Sequence, residues 1–228
     1  MYLHRRWLKK NGQEGCENVE HIVLQLNATF PNKVIGICDR DYTTFSDTYT
    51  PTSNVFLTDG RDIEMMMFEC SIVQDELRKL ADFDITYRKS VDFARQIGYL
   101  RIANERFKLG FSFKKKLKYN ILLHPRTGDA IPAELIAFEQ QFIADVYGYT
   151  ALQLQQHKTE LATQADKLIC RGHDVVDMLA NYYRNKANKK MLEQILAVYY
   201  HTDSFRTTTL CADLNSWAVV YNPNLLNI

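Results

Sequence analysis

Two short apolar runs in the first third of the chain each stop at carboxylates. Val34-Ile35-Gly36-Ile37-Cys38 ends in Asp39-Arg40-Asp41, and Asn54-Val55-Phe56-Leu57 runs into Thr58-Asp59-Gly60-Arg61-Asp62-Ile63-Glu64. A short continuous apolar run rich in β-branched residues predicts a strand buried on both faces, as in a parallel sheet flanked by helices. The acidic residues then fall at the carboxyl edge, where open α/β sheets bind their ligands. Thr58, Asp59 or Asp62 is placed to cap a helix starting near Arg61, with Glu64 in its first turn. The polar stretch 43–53 between the two runs reads as a surface loop.

Helical periodicity dominates elsewhere. It predicts helices over 16–27, from 62 through the Met65-Met66-Met67-Phe68 run, over 72–81, and over 90–108. The basic residues Arg88, Arg95 and Arg101 of that last region read as a solvated face, with phosphate binding as the alternative. Phe111 to Tyr119 alternates aromatic and polar residues around Lys114-Lys115-Lys116, which predicts a strand paired with 119–123 as a hairpin. The lysines read either as protection of a sheet edge or as a single-strand nucleic-acid surface. After a turn-rich break at 125–132, helices are predicted over 133–147, 151–169, 174–184, 189–201 and 204–221. The expected architecture is thus an α/β domain over 1–128 followed by an all-helical domain over 129–228. Segment 1–10 adds a helix ending at Asn11-Gly12, a sound stop signal. Cys170-Arg171-Gly172-His173-Asp174 joins two helices, with Gly172 as a stop and Asp174 as a cap on backbone amides.

Composition narrows the functions. Hydrophobic residues make up 46% and charged residues 24%, ordinary for a globular protein, and the net charge of +1 gives no global basic field. Nucleic-acid binding would therefore rest on local patches. The five cysteines are scattered, which predicts reduced thiols in a cytoplasmic protein rather than a disulfide framework or zinc site. No apolar run is long enough to span a membrane, and no Walker loop or nucleophile elbow is present. Two aspartates one residue apart repel, and a divalent cation with oxygen ligands relieves that repulsion. A polar turn is the commoner meaning of Asp-x-Asp alone. It does not explain why two successive strand ends both deliver carboxylates.

These motifs resemble the Toprim-like family of bacterial phage-defence proteins, and in particular the Toprim effector of PARIS anti-phage systems. The resemblance is carried by Asp39-Arg40-Asp41-Tyr42 and Thr58-Asp59-Gly60-Arg61-Asp62-Ile63-Glu64. Gly15-Cys16-Glu17-Asn18-Val19, Ala94-Arg95-Gln96-Ile97-Gly98-Tyr99-Leu100-Arg101 and Cys170-Arg171-Gly172-His173-Asp174 add to it. It implies a Toprim-like parallel sheet and a nuclease site using Mg²⁺ or Mn²⁺. Asp39, Asp41 and Glu64 would be catalytic, with Asp39, Asp41, Asp62 and Glu64 as metal ligands. Arg40, Arg61, Arg95, Arg101, Lys114, Lys115 and Lys116 would contact DNA or RNA, with His173 and Asp174 as accessory residues. The family opens with a strand ending in Glu-Gly-x-x-Asp, followed by a helix whose tail resembles Tyr2 to Leu8. Here that glutamate is not found, so the chain either starts within the family's frame or is a degenerate member. An open sheet edge would then favour a homodimer. The alternative to catalysis is a non-catalytic Toprim-like module docking on a partner ATPase. Primase-like nucleotidyl transfer shares the metal chemistry without a residue that marks it.

Overall fold

The computed structural model describes residues 15–45, 50–184 and 186–221; the helix expected over 1–10 lies outside them. The elements are α1 (Cys16–Thr29), β1 (Gly36–Cys38), β2 (Val55–Leu57), α2 (Ile63–Phe68), α3 (Ser71–Leu77), α4 (Phe83–Arg106), α5 (Phe113–Lys116) and α6 (Tyr119–Leu122). They continue with α7 (Pro132–Asp145), α8 (Ala151–Leu161), α9 (Asp166–Ile169), α10 (Gly172–Tyr182), α11 (Lys189–Tyr199), α12 (Thr202–Arg206) and α13 (Thr209–Tyr221). A 3₁₀ turn, Thr43–Phe45, opens the loop after β1.

The two expected strands pair in parallel, with Gly36 opposite Val55 and Cys38 opposite Leu57. Among the described residues they form the whole sheet. Helices lie on both of its faces: Val19 and Val23 of α1 pack with Cys38, Val55 and Leu57, whereas Phe56 turns to Leu210 and Leu214 of α13. The arrangement is a small α/β unit within a mainly helical chain. Burial on both faces does not extend to β1, because Ile37 is 48% exposed.

The long helix α4 is the spine. It begins at Phe83 rather than near 90, with Asp82 at its N-terminal boundary, and ends at Arg106. Ile97 and Leu100 of α4 join an aromatic core with Phe111, Phe113, Phe138 and Phe142. Val91 and Ala94 join a second core that mixes Met65 and Phe68 with Val175, Val176 and Leu192. The second core draws on residues from both sides of position 128. Gly98 lets α4 approach the chain at Ile169 closely, since a Cβ there would lie 2.4 Å from the Ile169 carbonyl oxygen.

Three expectations are corrected here. The hairpin over 111–123 is replaced by the short helices α5 and α6. Phe111 and Phe113 both turn into the aromatic core, and the Ser112 carbonyl accepts from the amides of Lys115 and Lys116, closing a helical turn that a strand cannot make. The helix expected over 151–169 divides into α8 and α9. Arg95 Nη2 donates to the carbonyls of Leu161 and Ala162 at 3.0 and 2.9 Å, occupying acceptors that end a helix. The helix expected over 204–221 divides into α12 and α13 because Asp59 accepts from the amides of Thr209 and Leu210 at 2.7 and 2.8 Å. A carboxylate at a helix N-terminus satisfies donors that have no partner within the helix.

Candidate functional site

The end of β1 sets the site. After Cys38 the chain delivers Asp39, whose Oδ1 accepts from the Ile63 amide at 3.1 Å, tying the first acidic edge to the start of α2. Asp41 follows in a left-handed conformation, φ 46°, and its amide donates to the Arg61 carbonyl at 2.7 Å. Arg40 lies between them, its Nε on the Thr58 carbonyl at 2.8 Å. The two strand ends are thereby laced together across the sheet edge.

Arg61 is buried beneath them. Its Nη2 holds Asp41 Oδ1 at 3.0 Å and its Nη1 holds Asp62 Oδ2 at 2.7 Å, while its guanidinium lies 4.3 Å from the centre of the Tyr42 ring. Among the described residues neither the Arg61 Nε nor the Tyr42 hydroxyl meets a partner in hydrogen-bond geometry, though the two side chains lie against each other. Burial pushes the Tyr42 phenol up to about 12, against the pull of the guanidinium. Arg61 therefore neutralises the carboxylates from inside and is not offered to a nucleic-acid backbone, which corrects its expected role.

Asp62 is 2% exposed and caps α2, accepting from the Met65 amide at 3.1 Å. It also accepts the Gly172 amide from the far half of the chain, at 3.2 and 3.0 Å to its two oxygens. With Arg61 as well, both oxygens are engaged, so Asp62 is a structural clamp rather than a free metal ligand. Gly172 is the first residue of α10, not a helix stop, and a Cβ there would lie 2.4 Å from Glu64 Cβ. Only a glycine lets α10 reach the clamp.

Glu64 Oε1 lies 3.3 Å from His173 Nε2, so this histidine does reach the acidic edge. Asp174 does not cap the helix on backbone amides. It is 1% exposed and accepts from Arg101 Nη2 and Nε at 3.1 and 3.2 Å and from the Tyr119 hydroxyl at 2.6 Å. A buried carboxylate needs such a counter-charge, and Arg101 supplies it in bidentate form. Arg95 is likewise turned inward, paired with Asp166 and Tyr99 Oη. In place of the solvated face expected for these two arginines, Arg101 makes a buried tie and Arg95 a half-buried one to the exposed Asp166. Lys114, Lys115 and Lys116 are exposed, and Lys116 pairs with Asp145 at 3.3 Å.

The electrostatics single out Asp39. Its carboxyl is raised to about 6, first by desolvation and then by the charges of Asp62 and Asp41, with Glu64 adding to them. The Ile63 amide opposes the shift. Asp39 presents surface to solvent although its carboxyl is crowded on the inner side, so solvent screening moderates these effects. Asp41 is also raised by burial and by Asp62, with Arg61 and Arg171 pulling the other way. Glu105 on α4 is raised by burial and by Asp41, which places it in the field of the same edge. Glu105 does not stand out in the sequence, and Arg171 does so only as part of the 170–174 motif, because nothing in local spacing connects either to residue 41.

For a divalent ion, the available donors are the second oxygens of Asp39 and Asp41, which make no hydrogen bond among the described residues. No group of three or more acidic, histidine or cysteine side chains is arranged as a ready cage among those residues. Two carboxylates completed by water and substrate phosphate is the coordination Mg²⁺ commonly adopts, and Asp39, raised by desolvation and then by neighbouring acids, is a group whose charge a cation would favour. In donor chemistry, the two carboxylates suit such an ion. All five cysteines are free, and no helix among the described residues is long and apolar enough to cross a membrane. No protein-family model matches this chain, no curated protein matches it, and no solved structure matches it.

Proposed function

We propose that the chain is a divalent-metal-dependent nuclease-type effector of the Toprim kind, cutting phosphodiesters of nucleic acid. A role in bacterial anti-phage defence beside a partner ATPase follows from the same resemblance. The observation that carries the reading is the Asp39 carboxyl at the carboxyl edge of a parallel strand pair, raised to about 6 by burial and three neighbouring acids. Asp39 and Asp41 would hold Mg²⁺ or Mn²⁺, which when bound supplies Lewis-acid stabilisation of charge on the scissile phosphate. Arg61 and Tyr42 fix Asp41 from behind. Asp62 fixes the start of α2, and so the position of Glu64 and of the amide that holds Asp39. Glu64 and His173 form a carboxylate–imidazole pair beside the edge, suited to hold or pass a proton.

A second reading, a non-catalytic module that docks on a partner ATPase, is favoured by one feature. Arg61 already balances Asp41 and Asp62, so the edge is partly neutral without a metal.

The test is Mn²⁺ binding by calorimetry together with cleavage of single-stranded DNA, duplex DNA and RNA, comparing the chain with an Asp39→Ala, Asp41→Ala variant. Metal-dependent cutting lost in the variant is the expected result. Metal binding through these aspartates without cutting would transfer support to the docking module, and no binding would end the metal reading.

A further inference from the structure

Beside the acidic edge opens a cavity of about 550 Å³, within the range of sites that bury small ligands. Its cations are Arg101, Lys114, Arg171 and Lys189, and its acids are Asp174 and Asp177, four against two, an excess of two positive charges with His173 neutral. Both acids are already matched: Asp174 by Arg101 and the Tyr119 hydroxyl, Asp177 by Lys189 at 2.6 Å. The surplus therefore sits on Lys114 and Arg171, for which no ion pair exists among the described residues. Tyr119 supplies half-buried ring surface and is fixed by its hydroxyl on Asp174, whereas Phe113 is a buried floor beneath the Arg101 guanidinium, 4.6 Å from its ring centre.

The cavity and the acidic edge share a wall. Arg171 and His173 line the cavity, while Gly172 between them donates to Asp62 and His173 approaches Glu64. We propose that this cavity is a phosphate-binding subsite for a nucleotide unit flanking the scissile bond, with Lys114 and Arg171 on the phosphate and the half-buried Tyr119 ring beside the base. The proposal rests on the nuclease reading for the word "flanking" but not for the binding itself. Cationic side chains beside aromatic rings are the pairing that holds single-stranded nucleic acid irrespective of sequence. Arg171 is the pivotal group, because it lines the cavity and adjoins Gly172, whose amide is held by Asp62 of the acidic edge. A phosphate drawn to it is brought toward the aspartates.

The experiment is fluorescence anisotropy in EDTA at low salt, with two probes: a labelled oligo-dT dodecamer and a labelled adenosine monophosphate. Lys114→Glu and Arg171→Gln are compared with the unaltered chain and with Lys33→Glu, an exposed lysine of the α1–β1 connection that serves as a charge control. Dodecamer binding weakened about tenfold or more by the pair of changes, with the slope of log K against log salt falling by roughly 1–2, is the expected result. Unchanged binding by Lys114→Glu and Arg171→Gln would overturn the subsite, as would equal weakening by Lys33→Glu or failure of the unaltered chain to bind either probe. Binding of the monophosphate with none of the dodecamer would also overturn it, in favour of a free-nucleotide site. Should Arg171→Gln disturb the fold, seen as a lowered melting temperature, Lys114→Glu alone carries the test. Pocket-dependent binding without any Mn²⁺-dependent cleavage would remove the nuclease reading and leave the subsite standing. Cleavage with pocket-independent binding would do the reverse.

Discussion

Changing Gly172→Ala tests the joint between the two halves of the acidic edge. An added Cβ would stand 2.4 Å from Glu64 Cβ, 2.7 Å from Asp62 Oδ1 and 3.0 Å from the Met65 amide nitrogen. Carbon atoms in contact sit at about 3.5–4.0 Å, so the overlap with Glu64 is about 1 Å against an atom anchored directly to the backbone. A side chain cannot swing away from it, so the N-termini of α2 and α10 must separate. Overpacking of this kind costs about 1–3 kcal/mol. The separation also stretches the hydrogen bonds from the Gly172 amide to buried Asp62, 3.2 and 3.0 Å long, a contact to a charged group worth about 1.5–3 kcal/mol. Replacing glycine by alanine in a helix returns at most about 1 kcal/mol, less in the first turn. The net expectation is a loss of about 3 kcal/mol, read as a lowered urea midpoint by circular dichroism at an unchanged slope. A cycle with Asp62→Asn should show coupling between the two changes, because both act on one contact. A loss below about 1 kcal/mol, or strict additivity in the cycle, would refute the claim that close approach at Gly172 fixes the clamp.

Other consequences follow from the same network. Asp39→Asn should stabilise the fold at neutral pH by about 1 kcal/mol, a shift of roughly two pKa units discounted for solvent screening. Because the folded carboxyl is raised from 3.8 to about 6, the unaltered chain loses stability as pH rises through that window. The advantage of the variant should thus vanish near pH 4, and a pH-independent difference in urea midpoints would contradict it. Asp174→Ala should cost about 3–5 kcal/mol by leaving Arg101 without its buried counter-charge, and a melting temperature within a degree of the unaltered chain would count against this. His157 is 3% exposed with neither ring nitrogen hydrogen-bonded, and desolvation lowers its pKa below 6.5. Stability should accordingly be intact above that value and decline as pH falls below it. His157→Leu should flatten the decline and add about 1 kcal/mol, and an unaltered acid slope in the variant would exclude this account.

The positions along the chain carried the local features. Both strands, a helix cap from among Thr58, Asp59 and Asp62, which is Asp62, and most helices are present where apolar spacing and capping chemistry place them, since both act within a few residues. Partners over long separations were not legible. Arg95 and Arg101 occupy positions that a solvated face would also fill, and only the fold shows Asp166 and Asp174 opposite them. Asp59 looked like a cap for the helix beside it, yet it caps α13, 150 residues away. The hairpin failed for a different reason: Phe111 and Phe113 share one core as a strand would have it, but the Ser112 carbonyl takes the amides of Lys115 and Lys116 and closes a helical turn. For the candidate site, the acids were visible and their balance of charge was not, because Arg61 adjoins Asp62 in sequence while its neutralising reach to Asp41 depends on the turn after β1.

The clamp at Asp62 also has a bearing on the order of events during synthesis. Its amide partner Gly172 lies 110 residues downstream, and the Arg61 amide waits for the carbonyl of Lys167. A growing chain that has released both acidic strand ends from the ribosome still lacks the segment that seats them. Pairings this distant in sequence form slowly, and domains emerge from the N-terminus onward. The acidic edge therefore matures only after residue 172 has been made and released, so a chain stopped short of it carries the carboxylates without the frame that aligns them.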